Sequence, residues 1–171
     1  LSMTHENARN ATLKALSIAK KKGILISLDP NLREPLWDSL DNAREQMLTA
    51  ISYCDVLKIS DNEIVWFTGL EDYDEAVAKL KQDYPNLKLI LVSLGKDGSI
   101  AYSGNNRAFV KAFIQEDTIE TTGAGDTFCA CVLHYVLENG FREYDESELE
   151  SMLMFANAGA SIITTRKGAL R

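Results

Sequence analysis

Nowhere in this 171-residue chain does an apolar run reach membrane-spanning length, and the opening Ser2-Met3-Thr4-His5-Glu6 is too polar for a signal peptide. Basic charge is in deficit, with 18 Lys and Arg against 25 Asp and Glu for a formal charge of -7, and no basic run stands out. A nucleic-acid partner is therefore not expected. Cysteine is scarce as well. Cys54, Cys129 and Cys131 are odd in number and form no CxxC, and neither His5 nor His134 lies in a metal-ligand spacing. These residues read as reduced thiols in a cytosolic protein rather than as a disulfide framework or a zinc site. No internal repeat is present. The 46% of apolar and 25% of charged residues exclude disorder and collagen-like repetition and fit one ordinary globular domain.

Against these absences stands one dense stretch, Glu120-Thr121-Thr122-Gly123-Ala124-Gly125-Asp126. It precedes Phe128, Ala130, Val132, Leu133, Val136 and Leu137, apolar residues at helical spacing, so Gly123 to Asp126 are expected at a helix N-terminus with Thr121 or Thr122 as cap. Free N–H groups and the positive end of the helix dipole favour an anion there, and glycine leaves room for phosphate oxygens. Asp126 would repel a phosphate unless it works on a hydroxyl proton or a bound cation. Taken alone, it is also a dipole-favouring residue at a helix start. Two common phosphate loops are excluded by spacing. Asp126-Thr127 follows Gly125 where a Walker loop needs Lys-Ser/Thr, and Phe128 stands where a dinucleotide fingerprint needs its third small residue.

The chain alternates helical and strand patterns. Glu6 to Lys22 carries a stripe of Ala8, Ala11, Ala15, Ile18 and Ala19, closed by Lys20-Lys21-Lys22 and Gly23. Ile24 to Leu28 reads as a buried parallel strand, and Asp29-Pro30-Asn31-Leu32-Arg33 leaves its C-terminal end, where ligands gather in open α/β sheets. Helical patterns at Asp41–Ser52 and Asp74–Tyr84 flank the strand Val56 to Ile59 and a short helix beginning at Ser60-Asp61-Asn62-Glu63. Leu87 to Leu94 is the strongest strand signal, Gly95-Lys96-Asp97-Gly98 turns into Ser99–Tyr102, and Arg107–Phe113 gives one more strand. Ala124–Glu138 and Glu146–Ile163 are the last helices, the latter with Leu149, Leu153, Ala156, Ala160 and Ile163 near one face. Such alternation predicts an α/β fold, a mostly parallel sheet with helices on both faces.

Glu120 to Asp126 together with Phe128 resembles the second signature of the ribokinase-like (PfkB) carbohydrate kinases, D-T-T-G-A-G-D-x-F, with Glu120 for the leading Asp. The resemblance implies that Gly123, Ala124, Gly125 and the Asp126 N–H form an anion hole for the transferred phosphoryl group, and that Asp126 is the base for a sugar hydroxyl. Asp29 to Arg33, with Glu34-Pro35-Leu36-Trp37, resembles the D-x-N-x-R segment of fructokinases and ketodeoxygluconate kinases. Arg33 is then a candidate phosphate clamp and Asn31 a polar contact, although an Asp-Pro turn with a solvated Arg explains the same residues. The family's N-x-x-E falls on Ser60 and Glu63, the Glu acting through Mg²⁺ and its waters; a capping Ser with a capping-box Glu is the plain alternative. Ser93, Gly95 and Gly98 match the nucleotide turn T-L-G-x-x-G, which by itself reads as a hairpin turn.

Phe155-Ala156-Asn157-Ala158 and Thr165-Arg166-Lys167-Gly168-Ala169 resemble the closing segments that border the adenine and a monovalent-cation loop. They imply an adenine-side role for Asn157. They also imply a cation held by the carbonyls of Ile163, Arg166 and Gly168 with Glu120 and Thr122, and the longer Glu120 is expected to weaken potassium activation. Leu1 and Arg171 look like cut ends. By the resemblance, residues 1–171 are the C-terminal ATP-binding portion of a longer kinase, lacking the N-terminal half with its sugar pocket and β-sheet lid, and inactive alone. The implied reaction is ATP-dependent phosphorylation of a sugar hydroxyl with Mg²⁺ and K⁺. Fructose is the favoured acceptor, 2-keto-3-deoxygluconate the runner-up, and a non-catalytic nucleotide-binding fragment the other class. The expected partners are ATP and a small sugar, with no nucleic acid or membrane, and a homodimer in the intact enzyme.

Overall fold

The computed structural model describes residues 3–168, so Leu1, Ser2, Ala169 and Arg171, which the sequence reading used, lie outside the described residues. The chain divides into two compact units, Leu1–Ile90 and Leu91–Arg171. Its five strands are hydrogen-bonded in the order β1-β2-β3-β4-β5, in a mostly parallel α/β arrangement.

In the first unit, α1 (Glu6–Lys21) leads through Gly23 to β1 (Ser27–Leu28), which pairs parallel with β2 (Val56–Ser60). Two expectations fail here. The alanine stripe of α1 faces outward, no residue of the helix is buried, and Ile18 is 46% exposed. Alanine spacing reports helix propensity more than burial; Ala19 alone of the stripe reaches the half-buried side, with Leu13 and Leu16. The strand expected over Ile24–Leu28 pairs only at its last two residues, since the Ile26 carbonyl already accepts from both Asp55 N and Val56 N.

Helix α2 (Leu40–Ile51) starts where the Ser39 side chain accepts from Asn42 N, and it buries Ala43, Met47, Ala50 and Ile51, a helical spacing. Strand β2 is buried on both faces and leads directly into α3 (Asp61–Thr68), which ends on Gly69 at φ 73. Helix α4 (Tyr73–Asp83) is capped by Asp72 and buries Ala76, Val77 and Leu80. Burial also disposes of one thiol: Cys54 is pushed up to about 12 by desolvation, with Asp55 adding to the effect, so it is inert packing.

Strand β3 (Leu89–Ser93) carries the chain into the second unit, where a 3₁₀ turn at Gly95–Asp97 precedes β4 (Ser99–Ser103). Strand β5 (Asn106–Val110) pairs antiparallel with β4, from Ser103↔Asn106 to Ser99↔Val110. This hairpin departs from the strict strand–helix alternation read from the sequence, because no helix separates the two strands. The expected strand beyond Val110, through Phe113, is irregular chain. Helices α5 (Ala124–Asn139) and α6 (Glu146–Ile163) follow, α6 lying against both hairpin strands. Helix α5 buries Phe128, Val132 and Val136, whereas Ala130 and Leu137 of the expected stripe are exposed. On α6, Leu149, Leu153, Ala156 and Ile163 are buried as expected, and Met152 joins them.

Candidate active site

In the second unit, α5 begins on Gly123 at φ 83 with no side-chain cap, so neither Thr121 nor Thr122 plays the capping role expected of it. The left-handed turn is one that glycine adopts without strain. Ala124 N donates to Thr121 O at 3.1 Å and Thr127 N to Gly123 O at 2.8 Å, closing the turn by backbone bonds alone. Without a side-chain cap the Gly125 and Asp126 N–H groups stay available for an anion, whereas the Ala124 N–H, expected to join them, is used within the turn. Asp126 sits on the exposed side of that first turn.

Beside this helix start lies a cavity of about 300 Å³, in the size range of small-molecule sites. It collects five segments of the unit. Ser93, Gly95 and Gly98 come from the turn after β3, Ala112 to Gln115 from the chain leaving β5, and Ala124, Gly125 and Phe128 from α5. Asn157, Ala160 and Ser161 come from α6, and Thr164 from just beyond it. Four sequence-predicted residues, Ser93, Gly95, Gly98 and Asn157, thus meet at one cavity with Ala124 and Gly125 of the glycine-rich turn.

Gly98 is fixed there by shape: its φ is 121, and a Cβ would stand 2.2 Å from the Val110 carbonyl oxygen. The Asn157 amide is spoken for. Its Oδ1 accepts from Ser99 Oγ at 2.9 Å, while Nδ2 donates to Val110 O at 3.1 Å and Lys111 O at 3.2 Å. Ser99 was not singled out from the sequence; the signal was a hydroxyl at the buried start of a strand. Burial pushes the Cys131 thiol on α5 up, which leaves it no nucleophile's part.

The residues proposed for a monovalent cation are partly brought together. Glu120 Oε1 accepts from Gly168 N, Ile119 N donates to Thr164 O at 2.8 Å, and Ile163 O accepts from Arg166 N at 3.1 Å. Thr122 is exposed and joins none of these bonds. One oxygen of the Glu120 carboxylate therefore closes this loop from within the chain.

In the first unit, Ser60 and Glu63 form a full capping box. Glu63 N donates to Ser60 Oγ, and Glu63 Oε2 accepts from Ser60 N and Ser60 Oγ, both at 2.9 Å. The other oxygen, Oε1, accepts from Leu32 N at 2.6 Å. Glu63 is 8% exposed, and its carboxylate is an internal clamp on the loop that carries Asn31 and Arg33. A carboxylate so engaged would meet Mg²⁺ through the ion's waters, as the resemblance implies, and not as a direct ligand. Among the described residues no cluster of three or more His, Cys, Asp or Glu could hold a metal ion. Asn31 adopts φ 47, a left-handed conformation that Asn tolerates better than most residues, and Arg33 is exposed. The loop is held from its other end by a residue the sequence reading passed over. Lys58, 7% exposed within β2, pairs with Asp29 at 2.9 Å. A lysine inside a buried strand was the available signal, since such a charge is retained only when paired.

Known proteins resemble the chain along its length. Probable fructokinase-2 of Arabidopsis thaliana is 40% identical over 170 residues, covering 99% of this chain and 51% of that protein. The chain spans about half the length of that relative. A double mutant of fructokinase from Vibrio cholerae O395, solved in a fructose, ADP and potassium ion bound form, superposes with a TM-score of 0.85 at 27% identity, over 98% of this chain and 53% of that one. The 2-dehydro-3-deoxygluconokinase of Thermotoga maritima has a TM-score of 0.83 at 21% identity, over 97% of this chain and 52% of that one, a likeness of fold alone. The pfkB family carbohydrate kinase model matches residues 2–171, and the chain belongs to that family.

Proposed function

We propose that this chain forms the nucleotide side of an ATP-dependent sugar kinase with fructose as acceptor. One observation carries the reading: an uncapped, glycine-initiated helix start borders a cavity of nucleotide size, with Asp126 one residue beyond Gly125. The likeness to fructokinases at about 40% identity supports fructose over 2-keto-3-deoxygluconate. Reduced thiols at Cys54, Cys129 and Cys131 support a reducing, cytoplasmic setting.

In the proposed reaction Asp126 takes the proton from a primary hydroxyl as that oxygen attacks the γ-phosphorus. The bond from γ-phosphorus to its bridging oxygen breaks and ADP leaves. The amides of Gly123, Gly125 and Asp126 face the charge that develops on the equatorial oxygens, so positioning and electrostatics supply most of the catalysis. Magnesium supplies charge neutralisation when it arrives on the triphosphate. Glu63 acts by holding Leu32 in place, and with it the loop bearing Asn31 and Arg33.

The test is Asp126→Asn in the full-length polypeptide. Turnover of fructose should fall about 10²–10⁴-fold, the usual worth of a general base, with ATP affinity unchanged or tighter because a charge beside the phosphates has gone. Near-normal turnover would remove Asp126 as the base. An acceptor panel of fructose and 2-keto-3-deoxygluconate decides the sugar.

A further inference from the structure

The lysine at the centre of β2 stands among buried residues, since positions 56–59 of that strand are all shielded from solvent. Its side chain is 8% exposed and that of Asp29 18%, with 2.9 Å between Nζ and Oδ2. Register makes the pair: Ser27 lies beside Val56 and Leu28 beside Leu57 in the parallel ladder, so Asp29 comes next to Lys58 as the chain leaves β1. Taking two charges out of water offsets much of what their attraction returns, and an apolar pair of similar volume is often as stable or more so. Stability is thus a weak reason for this lysine. What it anchors is the loop holding Asn31, whose φ of 47 is the one positive value outside glycine among the described residues. Such a conformation persists where its surroundings over-determine it. Here buried Pro30 fixes one backbone angle, Lys58 holds Asp29, and Glu63 Oε1 accepts from Leu32 N at 2.6 Å.

The residue that follows is presented and not engaged. Arg33 is exposed, and among the described residues its guanidinium meets only the Leu32 carbonyl, at a long 3.4 Å. A guanidinium offers a fork of N–H donors matched to phosphate oxygens, and the C-terminal edge of parallel strands such as β1 and β2 is where ligands gather in α/β sheets. We propose that Lys58 is a positioning residue for the phosphoryl donor: through Asp29, and together with Glu63, it sets the loop from Asp29 to Arg33 so that Arg33 meets the phosphates of the bound nucleotide. This assignment rests on the nucleotide reading above and adds to it a residue that is buried in the sheet and acts through another.

Variants of the full-length polypeptide test this. Lys58→Met alone leaves the Asp29 carboxylate beside an apolar side chain, which destabilises the fold itself, so the decisive protein is Lys58→Met/Asp29→Leu, with both charges gone. Its urea midpoint should match or exceed the parent's. Its dissociation constant for the magnesium salt of ATP, read by calorimetry without any acceptor, should nonetheless weaken by about 10- to 100-fold, the effect of a misplaced contact. Arg33→Ala should weaken binding by about 10- to 100-fold as well. Combining the two changes should then cost little more than Arg33→Ala alone, because both act through one contact. Full additivity of the losses would overturn the proposal, as would parental affinity in either the pair variant or Arg33→Ala. A urea midpoint that falls together with affinity would make the pair structural and overturn it too. A parent protein that binds no ATP would remove the nucleotide reading and this assignment together. Fructose phosphorylation is measured separately: the expected affinity pattern without turnover would reject the sugar-kinase reading and leave the assignment of Lys58 standing.

Discussion

The Ser99 hydroxyl and the Asn157 amide face each other at 2.9 Å in the interior of the second unit, 1% and 6% exposed, joining the first residue of β4 to the middle of α6. Because Asn157 also donates to the last two carbonyls leaving β5, one side chain pins three elements at the wall of the cavity. Asn157→Ala should strand the Ser99 hydroxyl and both carbonyls, a loss of about 1–3 kcal/mol for each buried group left unpaired. Ser99→Ala removes only one partner and should cost less. Urea unfolding of the two variants measures this, and an Asn157→Ala midpoint equal to the parent's would mean the pin carries no stability.

Glu63 offers a second test of position against chemistry. Glu63→Ala deletes the capping box and the acceptor of Leu32 N together, and loss of a helix cap alone costs about 0.5–2 kcal/mol. Amide hydrogen exchange at Leu32 should quicken markedly. If Leu32 stayed protected while turnover collapsed, Glu63 would be acting on the reaction and not on the loop.

Glu120 bears on the response to potassium. Its carboxylate reaches Gly168 N, so the loop is closed by a side chain. Turnover of the full-length polypeptide should change little when potassium is exchanged for a bulky organic cation, and Glu120→Asp, one methylene shorter, should gain potassium dependence. A large dependence in the parent protein sinks the argument.

The start of α6 carries the pH sensitivity. A two-pronged hydrogen bond from the Arg142 guanidinium, with the Asp145 backbone amide behind it, holds the Glu148 carboxyl down at about 2. The folded value lies below the unfolded one of about 4.3. The stabilisation is thus fully present above the unfolded value and is lost as pH falls from about 4 toward 2. The pair is exposed and screened, so the effect is modest. The gap in urea midpoint between parent and Glu148→Gln should be largest near pH 6 and shrink by pH 3; a gap unchanged with pH would exclude Glu148 as its source.

Much of this was legible before any coordinates, for identifiable reasons. Helix α6 ran from Glu146 to Ile163 as read, because its apolar spacing is long and Asp145 and Glu148 form a capping box at its start. The glycine-rich turn was legible because a glycine ahead of an apolar helical spacing marks the helix start, and Gly123 takes the left-handed φ there. Helix α1 misled, since its alanines signal propensity and not burial. The pairs Lys58–Asp29 and Ser99–Asn157 were out of reach, because each depends on strand or hairpin register that no local pattern records. The capping box at Ser60 and Glu63 could be read as either cap or site; only the bond from Leu32 N, 31 residues away, gave the glutamate its second task.

Gly159 gives the second unit a property that none of its polar residues provides. A methyl there would come within 2.6 Å of Cys131 Sγ and 3.6 Å of the Thr127 methyl, so α5 and α6 touch at a point with no slack. Helix α5 contributes the glycine-initiated turn and α6 contributes Asn157, Ala160 and Ser161. Any larger residue at 159 would have to push Cys131 aside or wedge α5 from α6, so the span between the glycine-initiated turn and the Asn157 wall depends on position 159 staying bare.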